Sequence, residues 1–155
     1  MKKYGILFLT LLLGFASGGC GNHLSGPEKT AVRFYKEVWV EGDLNHSSRL
    51  LAHPRNRKEL GWRVEQTRSS KQKNPPILIT VSPSDSQMMS KTIWIHRPSD
   101  KRDFRVKLRR TARGWKVVNF QQNYDNRRGG YIGNDAFQRY VREYPGMKWK
   151  RVESP

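Results

Sequence analysis

The hydrophobic period of this chain changes once, at Pro75-Pro76, and that change limits the possible folds more than any other feature. Ahead of it, Val32, Tyr35, Val38 and Trp39 recur at helical spacing, as do Leu60 and Val64. Behind it the period is two. Phe104, Val106 and Leu108 alternate with Arg105, Lys107 and Arg109, which describes a half-buried antiparallel strand whose outer face is wholly cationic. Helices first and a strand meander afterwards specify an α+β fold, with the N-terminal helices packed on one face of an antiparallel sheet in a single domain.

Local signals set the boundaries. Pro27 and Glu28 suit the first turn of a helix, and Gly42 suits its end. Asp43 caps a second helix, Leu44 to Leu51, with Leu44, Ser48 and Leu51 facing the core and Pro54 ending it. A third helix runs over about Asn56 to Thr67, and a loop over Ser69 to Pro76. Strands are expected at Ile77–Val81, Lys91–His96, Phe104–Arg109 and Trp115–Phe120, with a tight turn at Thr111–Gly114. The predicted core includes Tyr35, Trp39, Leu51, Val106 and Trp115. Residues 125–155 read as an extension beyond the domain, which spans 27–124. The extension comprises a linker at Asn126–Gly130, a short helix capped by Asn134 and carrying Phe137, Tyr140, Val141 and Tyr144, and a basic tail.

Val32-x-x-Tyr35-x-x-x-Trp39-x-x-Gly42-Asp43-Leu44, followed by Gly114-Trp115-Lys116-Val117, resembles the nuclear transport factor 2 superfamily over roughly residues 27–124. The resemblance implies a curved, cone-like sheet wrapped around helices, often with a pocket at its wide end.

The N-terminal segment has Lys2 and Lys3, an apolar run from Tyr4 to Phe15, and the small residues Ala16-Ser17-Gly18-Gly19 before Cys20, the sole cysteine. These are the three regions of a secretory signal, and the apolar run is short for a bilayer span, which takes about 20 residues. Gly18-Gly19-Cys20 resembles the lipobox of bacterial lipoproteins, with Ser17 where leucine is usual. The resemblance implies cleavage after residue 19, acylation of Cys20 with diacylglycerol and palmitate-type chains, and anchoring on the extracytoplasmic side of the cell membrane or outer membrane. Residues 20–26 then form a flexible tether. Gly21 is not the Asp that retains such proteins at an inner membrane. Lipidation also disposes of a thiol that an oxidising compartment would leave exposed.

Cleavage there takes two of the 30 basic residues and none of the 13 acidic ones, so the mature chain keeps a net charge of +15. Such charge speaks of partners, not of fold. An exported basic domain meets anionic lipid or an envelope polymer, and nucleic acid only in a DNA-transfer context. From Lys101 to Lys116 there are eight basic residues and one acid, Asp103. Arg105, Lys107, Arg109, Arg110 and Arg113 are the candidate anion-binding residues, expected to share one patch on a hairpin.

Catalytic signatures are lacking in the sequence. Glu28, Asp43, Asp85, Asp100 and Asp135 fall where helix caps and turns belong. His46 and His53 make a poor metal site without nearby Cys, Asp or Glu, so neither a metal nor a cofactor is expected. The chain reads as a non-catalytic binding or assembly module of the bacterial envelope. A component of a conjugation or secretion machine and a pocket for a small molecule or a reaction remain open as alternatives.

Overall fold

The computed structural model describes residues 23–70, 73–85, 88–122 and 136–155. Cys20, the linker at Asn126–Gly130 and the cap at Asn134 lie outside them, as does Asp135.

Helix α1 (Gly26–Lys36) starts one residue earlier than Pro27 implies. Ser25 caps it, with both its backbone N–H and its hydroxyl donating to Glu28 Oε2 at 2.7 Å. Ser25-x-x-Glu28 is a capping box that was present in the sequence. A π turn, Glu37–Glu41, continues α1 and ends at Gly42, whose φ of 67° is left-handed. Asp43 then caps α2 (Leu44–Arg49) by accepting from the His46 backbone N–H at 2.9 Å. Here Ser47 is the buried residue, not Ser48. Its hydroxyl donates back to the Asp43 carbonyl. A 3-10 turn at Pro54–Asn56 leads into α3 (Arg57–Ser69), which buries Leu60 and Val64.

Five strands follow: β1 (Ile77–Val81), β2 (Ser90–Arg97), β3 (Arg102–Thr111), β4 (Gly114–Gln122) and, after α4 (Ala136–Glu143), β5 (Lys150–Val152). The sheet order is β4-β3-β2-β1-β5, with every neighbouring pair antiparallel. The meander follows directly from short connections between consecutive strands. A bulge between Lys107 and Leu108 lets β4 carry the extra residue Val118. The outer edge of β4 is met by Leu51, bridged in parallel to Val117.

One face of the sheet carries Ile79, Ile93, Ile95, Val106 and Leu108 against the helices. The space between is filled by an aromatic cluster. Trp39 lies 4.8 Å from Phe104 and 5.9 Å from Phe34, and Phe34 lies 5.2 Å from Phe120, all as ring centroids. Tyr35, Trp39 and Val106 are buried as expected, while Leu51 and Trp115 are half-buried against the cluster.

The C-terminal region is part of the domain, which corrects the boundary at residue 124. β5 adds a fifth strand on β1, and α4 lies on the sheet face away from α1. Trp94 and His96 are the cause. Their positions in β2 point them away from the helices, where an indole and an imidazole would face water. Tyr140 stacks on Trp94 at 3.6 Å and Phe137 on His96 at 4.1 Å. Among the described residues, no helix is long and apolar enough to cross a membrane.

Candidate functional site

The sheet face opposite α1–α3 has two halves. Towards the β2–β3 turn it is covered by α4. Towards the β3–β4 turn it is open. Arg105, Lys107 and Arg109 stand along the middle of this face on β3, each exposed. Directly across on β2 are Trp94, Thr92 and Ser90, and directly across on β4 are Gln121, Asn119 and Lys116. Neither flank contributes a carboxylate. The closest acid in the β1–β2 connection is Asp85, which is committed to the Thr92 backbone N–H and hydroxyl. None of the three cations makes an ion pair among the described residues. Each contributes an uncompensated charge at one strand repeat of about 7 Å from the next.

The single patch of eight basic residues does not form, because alternation divides it. Arg110 falls on the side of Trp115, its partner on β4, and Arg113 sits in the turn. Lys116 donates to the Arg49 carbonyl at 2.6 Å. Arg102 lies at the far end of β3, 3.1 Å from Asp100.

That far end holds the charged groups that sequence reasoning missed. Arg97 is buried, with its Nε and Nη2 on the two Asp100 oxygens at 2.8 Å and its Nη1 donating to the Tyr35 hydroxyl at 3.1 Å. Burial works against the guanidinium, but Asp100 and Tyr35 more than offset it and hold its pKa above the ordinary value. Burial pushes the Tyr35 phenol up, with Arg97 opposing. His96 Nδ1 lies 2.7 Å from Asp103 Oδ1, and Asp103 Oδ2 accepts from the Phe137 N–H at 3.3 Å. The signal that could have found these pairs is Asp100 at i+3 from Arg97 across a turn, and Asp103 opposite His96 in register.

A small cavity of about 40 Å³ opens beside Asp103 and Arg105, walled by Trp94, Phe137, Tyr140 and Trp149. It has room for a few water molecules. On the helix side, where a cone pocket would sit, the described aromatic rings pack against one another.

Glu28 is buried at the N-terminus of α1 and pairs with Lys150 at 2.7 Å. Burial raises its pKa, but the hydrogen bonds from Lys150 and Ser25 prevail and hold it below the ordinary value. Glu37, Asp43 and His46 bring ligand atoms within 4.8 Å of one another. Acids do lie beside His46, which corrects the expectation that it has none nearby, and Asp43 accepts from both the His46 backbone and its Nδ1, at 2.9 and 2.7 Å. His53 only precedes the 3-10 turn.

Compared with protein-family models, with curated proteins and with solved structures, the chain finds no match.

Proposed function

We propose that this chain is a lipid-anchored envelope lipoprotein, tethered through Cys20, whose Arg105–Lys107–Arg109 stripe holds anionic envelope components by charge without catalysing a reaction. The observation that carries this reading is that, among the described residues, no carboxylate stands directly across from the stripe on β2 or β4 and none pairs with it. A strand that only needs solvation does as well with Thr or Ser, as β2 does opposite with Ser90 and Thr92. Arginine and lysine there serve a partner that brings negative charge. Lipid on Cys20 keeps that partner close, because attraction to an anionic surface decays over about 8 Å at physiological salt.

Two measurements test the proposal. Cys20→Ser should shift the protein out of the membrane fraction or leave it unprocessed, while the wild-type N-terminus gains the mass of its acyl chains. Detergent-solubilised wild type should be retained by a teichoic-acid-like polymer at low salt and released as salt rises. Replacing Arg105, Lys107 and Arg109 with Ser should abolish most retention at unchanged stability. Retention that survives both high salt and the triple change overturns the reading.

A further inference from the structure

The end of the sheet at the β3–β4 turn combines three features, of which the charge stripe accounts for Arg109 alone. The first is apolar. Met88 is 85% exposed and Met89 57% exposed, in the connection between β1 and β2. Two adjacent unbranched apolar side chains at a loop tip have no packing role there. The second is cationic. Met89 is fixed to the neighbouring hairpin, its carbonyl accepting from the Arg110 N–H at 2.8 Å, and Arg109, Arg110 and Arg113 are all exposed around that hairpin's end. The third is where the chain enters the domain. Gly26 packs so closely on Trp115 that an added Cβ would lie 3.2 Å from the indole, and Trp115 pairs with Arg110. Helix α1 therefore starts beside this end, while the His23 carbonyl accepts from Lys150 Nζ on β5 at 3.3 Å, and three residues back from His23 reach Cys20 at most roughly 10 Å away.

We infer that the domain docks end-on against an anionic lipid bilayer, with Met88 and Met89 inserted among the headgroups and Arg109, Arg110 and Arg113 on the phosphates around them. The inference rests on the lipid-anchor reading and adds the partner's identity and the domain's orientation. An apolar tip ringed by cations suits an interface whose surface is charged and whose interior is hydrocarbon. A soluble polyanion would use the arginines and leave the methionines idle, so the bilayer is the occupant that uses both. The β2–β3 turn, at the opposite end of the strands, then points away from the membrane.

The test places a single environment-sensitive dye on the full-length lipoprotein reconstituted into vesicles containing phosphatidylglycerol and a lipid-borne quencher. Met88→Cys and Ser99→Cys supply the two attachment points, and the acylated wild type, with no free thiol, should take up no dye. The label at position 88 should be quenched at least fivefold more than the label at 99. Replacing Arg110 and Arg113 with Ser should weaken that quenching by about fivefold for each residue, and vesicles of phosphatidylcholine alone should do likewise. Equal quenching at both positions, stronger quenching at 99, or none at either overturns the docking. If neither label is quenched while the salt-sensitive retention on polymer persists, the stripe serves a polymer and only the docking falls. Dye uptake by wild-type Cys20 defeats the anchor reading and the docking together.

Discussion

The two ends of β2 and β3 are built from the same residue types and treat charge in opposite ways. At the β2–β3 turn, Arg97 and Arg102 share Asp100, and His96 lies on Asp103. Both arginines lie against that one acid, and the aromatic core lies directly beneath, with Phe104 5.1 Å from the Arg97 guanidinium. From two residues beyond Asp103 along β3, Arg105, Lys107 and Arg109 make no ion pair among the described residues. Positive charge in this chain therefore has two uses. Where a cation is buried, folding requires a carboxylate beside it, because an unpaired buried charge costs several kcal/mol. Where it is exposed, folding requires nothing, and a missing carboxylate points to something outside the fold.

The largest expected effect lies under the paired end. Trp39→Ala empties the centre of the aromatic cluster and should cost about 3–5 kcal/mol in chemical denaturation. A loss under 1 kcal/mol would mean that the helices and sheet do not meet there. Next comes Asp100→Asn, which strips the buried Arg97 of its counter-charge. A loss of about 2–3 kcal/mol is expected, short of the cost for a wholly buried pair because Asp100 is partly exposed.

Glu28→Gln should cost about 1–2 kcal/mol at neutral pH by weakening the charged hydrogen bond to Lys150. Because the Glu28 pKa is lowered on folding, its contribution is complete above the unfolded value of about 4.3 and is lost as pH falls through the lower folded value. Stability measured from pH 6 downward should therefore fall less steeply in Glu28→Gln than in wild type. An identical slope would remove Glu28 from the account. The bare end should show the smallest stability effect of all. Replacing Arg110 and Arg113 with Ser should change unfolding free energy by no more than about 0.5 kcal/mol, and a larger loss would give those arginines a structural role.

Much of this fold was legible in the sequence. The change of period at Pro75-Pro76 separates helices from strands, and Gly42, Asp43 and the turn before Gly114 occupy the positions their chemistry implies. The stripe on β3 was legible too, because strict alternation decides which side chains share a face. Two things were not. β5 is three residues long and is held by pairing with β1, which no local pattern announces. Arg97 and Asp100 read as ordinary polar turn residues, since the burial of Arg97 depends on Tyr35, 62 positions away. Trp94 was the overlooked clue to the second layer. A tryptophan on the supposedly solvated face calls for cover, and α4 supplies it.

The contrast between the ends can be tested by building the paired arrangement into the bare one. Asn119 stands directly opposite Lys107 and is exposed, so Asn119→Glu places a carboxylate in the middle of the stripe. The account predicts unchanged or slightly raised stability, by about 0.2–1 kcal/mol from the cross-strand pair, together with release from a teichoic-acid-like polymer at markedly lower salt than wild type. Unaltered retention, with the domain folded and the carboxylate in place, would contradict the claim that the missing acid is what makes this face a binding surface.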